Sequence, residues 1–125
     1  MRLGLGTAQF GMDYGVSNEI GRTAFEELVR ILALARERGV WVIDTAPSYG
    51  NAETSLGEAG VEGMAIVTKT PGLPRRPLSV ADADYLQDAL NESLERLRLP
   101  RLQALLAHAA DDLLAEGGEV MWRRM

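Results

Sequence analysis

Apolar positions along this chain occur in two patterns, short continuous runs and stretches with helical spacing. The continuous runs cover residues 3–8, 40–44, 65–69 and 102–108, and they predict four strands. The second and third runs are rich in β-branched residues, which is typical of strands buried on both faces. The fourth run contains mostly Leu and Ala, so its assignment depends on its length and on the boundary at Pro100.

Each predicted strand is followed by a segment in which apolar residues recur at helical spacing, and each such segment predicts a helix. The helices expected over residues 23–39 and 79–99 both open on capping-box sequences, in which Thr or Ser is followed three positions later by an acid. A shorter helix is expected from an N-cap at Asn51, a preferred residue type for that position, to about Ala59, and Gly60 ends it. The last helix, over residues 111–125, opens on two aspartates and is interrupted at Gly117-Gly118.

Four repeats of strand and helix indicate an α/β protein with parallel strands joined by right-handed crossovers. Periodicity alone leaves two architectures open. One is a small doubly wound sheet; the other is the first half of an eight-stranded (β/α) barrel, whose usual length is about 250 residues. The 125 residues present favour the first on length alone.

Composition narrows the class of protein. With 46% hydrophobic and 25% charged residues, the chain is expected to form one soluble domain. A net charge of -5 without basic blocks argues against nucleic-acid or anionic-membrane partners. No apolar run is long enough to span a bilayer, and no signal segment opens the chain, so a cytoplasmic location is expected. The absence of cysteine excludes disulfides, zinc–thiolate sites and thiol catalysis.

Ionisable residues stand where three of the predicted strands end. Asp44 ends the second strand, Lys69, the single lysine, ends the third, and His108, the single histidine, ends the fourth; Tyr49 follows Asp44 by five residues. Loops at the carboxyl ends of parallel strands line the ligand site in α/β folds, so these four side chains are expected to converge. Taken singly, each has a structural alternative, namely a turn aspartate, a solvated lysine, a loop anchor or a core histidine.

Together these four groups are suited to giving a proton to a carbonyl oxygen. A phenol is a weak acid at neutral pH, and an adjacent ammonium makes it a stronger one by favouring the phenolate. Asp44 would orient Lys69, and a neutral His108 could donate a hydrogen bond to the substrate oxygen.

Other kinds of site are less well supported. Gln9 stands where a dinucleotide fingerprint needs its third glycine, and no helix is predicted there. No dense carboxylate cluster suggests a metal. Arg75-Arg76 lies in a loop with three prolines over residues 70–77; it could contact an anionic substrate, although a solvated loop is the expected structure.

Several motifs, in order along the chain, resemble the aldo-keto reductase family. They are Leu3-Gly-Leu-Gly-Thr-Ala-Gln-Phe-Gly11, Ile43-Asp-Thr-Ala-Pro-Ser-Tyr-Gly50, Asn51-Ala-Glu53, Leu56-Gly57, Val67-Thr-Lys69, Glu92-Ser-Leu-Glu-Arg-Leu97 and Leu105-Leu-Ala-His108. The resemblance implies a (β/α)8 barrel of the TIM type, of which this chain would supply the first four units. It also implies reduction of aldehydes or ketones with NADPH, without metal or flavin.

The resemblance assigns roles to the residues already singled out. Tyr49 would be the proton donor, Lys69 and Asp44 would strengthen it as an acid, and His108 would orient the carbonyl. Gly6, Thr7, Ala8 and Asp44 would bind the nicotinamide end of NADPH/NADP+. The substrate pocket would be bordered by Phe10, Tyr14, Pro47 and Ser48.

The sequence stops inside the expected fourth helix, before the segments that in this family bind the rest of the cofactor. We therefore expect residues 1–125 to be a single truncated domain, marginal as an isolated monomer, that associates with a C-terminal half or a second copy. One alternative is a non-catalytic half-barrel with a relic active site. Another is an isomerase or lyase in which Lys69 forms a Schiff base.

Overall fold

A computed structural model describes residues 3–73 and 77–125 of the chain. Arg75-Arg76, expected in a solvated loop with contact to an anionic substrate as the alternative, lies outside the described residues. Four parallel strands form one sheet, in the order of the sequence. The strands are β1 (Gly4–Gly6), β2 (Val42–Asp44), β3 (Ala65–Lys69) and β4 (Ala104–Leu106).

Helices follow every strand. They are α1 (Ala8–Gly11), α2 (Phe25–Glu37), α3 (Ala52–Ala59), α4 (Val80–Leu97), α5 (Asp111–Leu114) and α6 (Gly118–Arg124). The neighbouring helices α3 and α4 pack against each other, and α6 packs on α4. The predicted repeat of strand and helix is confirmed in the described chain.

The strand order decides between the two architectures that periodicity left open. A doubly wound sheet reverses its strand order at a switch point, whereas these strands follow one another without reversal, as in a barrel. The sheet leaves one edge of β1 and one edge of β4 without a strand partner among the described residues. The chain therefore forms four consecutive units of a parallel (β/α) barrel.

The two faces of the sheet differ in their cover. Ile43 and Ile66 are paired in register on one face and are fully buried beneath the helices. Val42, on the other face, is 40% exposed, and Leu106 is 44% exposed. We call these the covered face and the open face. The prediction that the second strand is buried on both faces is wrong, because the described chain has no layer packed on the open face.

The main core lies between the covered face and the helices. It consists of Phe10, Leu28, Leu32, Ala35, Ile43, Ala52, Leu56, Val61, Met64, Ile66 and Leu97. A smaller cluster, Leu78, Ala83, Leu86 and Met121, joins α4 to α6. Burial of these apolar side chains supplies the main favourable term in folding.

Two details at the first two helices correct the sequence predictions. The single-turn helix α1 occupies residues expected to belong to a strand and a loop, and Ala8, assigned to the strand, opens it. Helix α2 begins after Ala24 with no side-chain cap, so the capping box expected at Thr23 does not form. By contrast, the capping box of α4 between Ser79 and Asp82 is confirmed.

Candidate active site

Asp44 and Lys69 are the last residues of neighbouring strands, β2 and β3. Asp44 is paired in register with Val67, and Lys69 lies two residues further along β3. Residues two apart on a strand point to the same face, so both side chains lie on the open face at the carboxyl end of the sheet. The expected convergence of these two residues is therefore present.

Lys69 is held by two acceptors at the end of β2. Its Nζ forms an ion pair and hydrogen bond with Asp44 Oδ1, and it donates a second hydrogen bond of 3.0 Å to the backbone oxygen of Thr45. The Lys69 side chain is only 14% exposed, whereas that of Asp44 is 43% exposed. The ammonium is thus fixed in position, and the carboxylate remains open to solvent.

Tyr49 lies on the turn that follows β2, directly beside this ion pair. The Nζ of Lys69 is 4.9 Å from the centroid of the Tyr49 ring. Helix α1 and this turn approach each other closely through their backbones. A Cβ at Gly11 would be 1.7 Å from the backbone oxygen of Tyr49, and a Cβ at Gly50 would be 2.2 Å from the backbone oxygen of Gly11. Gly50 also has a φ of +58°, which favours glycine.

His108 completes the group from the loop after β4. Its backbone N–H donates a 3.0 Å hydrogen bond to Thr70 Oγ1, which anchors it beside the residue that follows Lys69. The imidazole meets the Tyr49 ring edge-on, with centroids 6.1 Å apart and planes at 79°. Ser48 Oγ lies 3.4 Å from His108 Nδ1. All four residues assigned to catalysis from the sequence therefore occupy one cluster.

The residues expected to contact the cofactor differ in accessibility. Gly6 is exposed on the open face in register with Asp44, and a Cβ there would meet nothing within 4 Å. Thr7 is fully buried, and both its N–H and its hydroxyl bond the Asp44 carbonyl oxygen, at 3.1 and 3.0 Å. Ala8 is half-buried at the start of α1. Gly6 therefore leaves open space on the sheet surface next to the Asp44 side chain, whereas Thr7 is buried and links β1 to β2 by its hydrogen bonds.

The four residues expected to border the substrate pocket lie in different surroundings. Phe10 is buried in the main core, so its assignment to the pocket is wrong. Its apolar ring packs beneath the helices instead. Tyr14 is exposed on the loop after α1, where its carbonyl oxygen accepts hydrogen bonds from Gln9 and Asn18. Ser48 and the half-buried Pro47 lie next to Tyr49 in the turn after β2.

Sequence reasoning missed the hydroxyl groups that hold His108. The sequence predicts Thr70 in the proline-rich loop, but it is buried and connects β3 to the histidine through its side chain. For Ser48 the resemblance implies a place at the substrate pocket and no interaction with His108. A hydroxyl residue directly after a strand-end lysine is the signal that could have indicated Thr70.

A second ion pair, between Glu53 and Arg96, was not singled out either, and it lies on the covered side of the sheet. Glu53 is 2% exposed and accepts hydrogen bonds from Thr68 Oγ1 at 2.6 Å and from Arg96 Nε at 2.9 Å. These contacts join α3, β3 and α4. Because a buried charge needs such partners, this pair is part of the packing between elements.

Neither a metal-binding cluster nor a membrane-spanning helix is present within residues 3–73 and 77–125. No group of three or more Asp, Glu, His or Cys residues there could hold a metal ion. No helix there is long and apolar enough to cross a membrane. The cluster itself contains one phenol, one ammonium, one carboxylate and one imidazole.

Comparison of the sequence and the structure with known proteins matches the chain to aldo-keto reductases. The model of the aldo/keto reductase family matches residues 2–116. An aldo-keto reductase from Mycobacterium sp. (strain MCS) is 36% identical over 97 residues, which cover 71% of this chain and 31% of that protein. The chain thus spans about a third of the length of this curated relative.

Solved structures give the same result for the fold. The crystal structure of a candidate aldo-keto reductase from Pseudomonas aeruginosa superposes with a TM-score of 0.71 at 33% identity, covering 96% of this chain and 49% of that one. A candidate 2,5-diketo-D-gluconic acid reductase B gives a TM-score of 0.54 at 26% identity, covering 84% and 32%. The described sheet and helices therefore correspond to about half of a solved structure of this kind.

Proposed function

The chain belongs to the aldo/keto reductase family, and from this premise we propose that it supplies the proton-donating site for NADPH-dependent reduction of an aldehyde or ketone. The observation that carries the proposal is the cluster of Asp44, Tyr49, Lys69 and His108 on the open face of the sheet. The reaction adds a hydride to the carbonyl carbon and a proton to its oxygen.

Tyr49 is the proposed proton donor. As the carbonyl oxygen gains negative charge, the phenol O–H transfers its proton, and a phenolate remains. The ammonium of Lys69, 4.9 Å from the ring centroid, stabilises that negative charge. Asp44 and the Thr45 carbonyl hold the ammonium in position before the reaction begins, so no reorganisation is needed during it.

His108 is the proposed orienting group. Its ring lies edge-on to Tyr49 with the ring centroids 6.1 Å apart, and in this proposal an imidazole N–H donates to the same carbonyl oxygen that receives the proton of the phenol. Two donors directed at one oxygen fix the carbonyl and stabilise the charge that develops on it.

The residues of the open face fit the nicotinamide end of NADPH, which when bound supplies the hydride. Gly6 has no side chain, and the space above it is free of other atoms of the described chain, so a flat ring can approach the backbone there. The exposed Asp44 carboxylate is an acceptor for a ribose hydroxyl. Thr7 and Ala8 would contribute through the backbone position of β1 and α1.

The alternative in which Lys69 forms a Schiff base is less consistent with the geometry. Attack on a carbonyl requires a free amine lone pair, but Nζ is engaged with Asp44 and with the Thr45 oxygen. Lys69 would have to release both acceptors. The same contacts are those needed by an ammonium that assists a neighbouring phenol.

We further propose that activity requires the other half of the barrel, supplied by a C-terminal half or by a second copy of this chain. The chain covers 49% of a solved structure in the family, and among residues 3–73 and 77–125 no strand pairs with the outer edges of β1 and β4 and no layer covers the open face. A C-terminal half, or a second copy of this chain, would pair both edges and enclose the cluster. The small-molecule carbonyl substrate would then bind inside the completed barrel.

The test is NADPH binding by fluorescence titration, followed by NADPH oxidation with 4-nitrobenzaldehyde, for the chain alone and for the chain mixed with the C-terminal half of a relative. Tyr49→Phe is expected to retain binding and lose turnover, and Lys69→Met to lose most of the turnover. Tyr85→Phe is the matched control, because Tyr85 is an exposed tyrosine on α4.

Each outcome distinguishes between the hypotheses. Turnover that disappears in Tyr49→Phe but persists in Tyr85→Phe supports Tyr49 as the proton donor. A folded chain that binds no NADPH, alone or with the added half, favours the non-catalytic half-barrel. Borohydride trapping of a carbonyl compound on Lys69 would instead support the Schiff-base enzyme.

A further inference from the structure

The side chain of His108 has one hydrogen-bond partner among the described residues, the hydroxyl of Ser48. Ser48 Oγ lies 3.4 Å from Nδ1, a long hydrogen bond, and the ring otherwise meets the edge of Tyr49. The backbone of His108 is fixed independently, through its N–H to Thr70 Oγ1. Ser48 therefore acts on the imidazole and not on the loop that carries it.

The contact with Ser48 matters because it can determine which nitrogen of a neutral imidazole carries the proton. One ring nitrogen carries the proton and donates, while the other accepts, and the hydrogen bond at one nitrogen determines which form is favoured. If the Ser48 hydroxyl donates to Nδ1, the proton is held on Nε2. If Ser48 accepts from Nδ1–H, Nε2 has only a lone pair and cannot donate to a substrate oxygen.

We propose that Ser48 is a positioning residue that donates to His108 Nδ1 and so keeps the Nε2–H form directed at the substrate carbonyl. This inference rests on the proposed function, because it assigns the donor atom for the orienting role of His108. In this role Ser48 transfers no proton itself. It acts through the tautomer and the orientation of the ring.

The turn after β2 makes Ser48 suitable for this role. Tyr49 donates its backbone N–H to the Ala46 oxygen at 3.1 Å, which closes a turn around Pro47 and Ser48. Pro47 stands directly before Ser48 in that turn, and its ring fixes its own φ angle. The same turn thus carries Tyr49, the proposed proton donor, and Ser48, the proposed hydrogen-bond donor to His108 Nδ1.

The single histidine of the sequence allows a direct test that does not require activity. The chain is labelled with 15N at histidine, purified without a histidine tag, and studied by long-range 1H–15N correlation at a pH where the imidazole is neutral. We expect Nδ1 to resonate as the unprotonated nitrogen and Nε2 as the protonated one. In Ser48→Ala the two shifts should move toward those of a free histidine peptide, whereas Ser48→Thr should retain the native values.

Ser17→Ala is the matched control, since Ser17 is an exposed loop serine without a contact to His108. Ser48 is also exposed, so its replacement should leave the backbone amide spectrum of the core unchanged. A native spectrum with the proton on Nδ1, or shifts that Ser48→Ala does not move, would overturn the proposal.

In the reductase assay with the completed barrel, Ser48→Ala is expected to lower kcat by about 3- to 10-fold, the size of one hydrogen bond, with NADPH affinity retained. An unchanged kcat would overturn the catalytic consequence of the tautomer. A native Nε2–H form in a chain without any reductase activity would support the positioning by Ser48 and count only against the proposed function.

Discussion

The covered face and the open face of the same sheet carry different kinds of residue. An ion pair from each side illustrates the difference. On the covered side, Glu53 is buried between β3, α3 and α4 and bonds both Thr68 and Arg96. On the open side, Lys69 and Asp44 join two strand ends, and the carboxylate is 43% exposed.

The difference follows from the alternation of side chains along a parallel strand. In β3, Ile66 and Thr68 point to the helices and are buried, while Val67 and Lys69 point to the open face. Burial under helices provides stability, and the opposite face holds the Lys69–Asp44 pair, whose carboxylate is open to solvent. In β3, the residues that pack under the helices therefore alternate with the residues that are accessible on the open face.

The largest expected effect comes from neighbouring residues of β2 on opposite faces. Ile43→Ala removes a fully buried side chain and is expected to lower the free energy of unfolding by about 2–5 kcal/mol. Val42→Ala, on the open face, should change it by less than about 0.5 kcal/mol. Urea denaturation measures both. Equal losses would show that the open face is covered in solution, for example by a second copy.

The buried ion pair gives the next largest effect. Glu53→Gln removes a charge that is hydrogen-bonded by Thr68 and Arg96, and a loss of about 1.5–3 kcal/mol is expected. Glu92→Gln is the control, because exposed Glu92 bonds the same arginine at 3.3 Å and its loss should cost about 0.5 kcal/mol or less. Similar urea midpoints for the two variants would contradict a packing role for Glu53.

Part of the fold could be predicted because local signals agreed with their surroundings. The bounds of β3 match the predicted strand, and α3 ends before Gly60 as expected. Helix α1 could not be predicted, because it has no capping hydrogen bond from a side chain and depends on contacts of Gly11 with the turn of Tyr49. The exposure of Val42 does not follow from its β-branched run, which is the same whether or not the second face is covered, but it agrees with the expectation of a half-barrel.

The candidate site divides in the same way. Asp44, Lys69 and His108 could be located from the sequence, because ionisable residues at the ends of parallel strands meet at one edge of the sheet. Thr70 and Ser48 could not, because hydroxyl residues are common in turns. Only the pairing of β3 with β4 brings Thr70 beside the backbone of His108.

A smaller effect is expected where α3 crosses α4. In most helices Gly→Ala is stabilising by about 1 kcal/mol, but a Cβ at Gly57 would be 2.1 Å from the Arg96 backbone oxygen. Gly57→Ala should therefore destabilise the chain by about 1–3 kcal/mol through overpacking. Glu58→Ala, at an exposed position of the same helix, should be close to neutral. A gain in the urea midpoint of Gly57→Ala would mean that the two helices are further apart than described.

The smallest expected effect on stability belongs to the ion pair of the open face. Asp44→Asn should lower the free energy of unfolding by less than about 1 kcal/mol, because the carboxylate is partly exposed and the Thr45 oxygen still accepts from Lys69. In the completed barrel the same variant should lose most of its reductase activity, because Lys69 would no longer be held beside Tyr49. Urea denaturation and the NADPH assay on the same preparation separate the two effects. A loss of stability as large as that of Glu53→Gln would show that the Asp44–Lys69 pair stabilises the fold. The two faces would then not differ in role at the very residues on which the proposed chemistry depends.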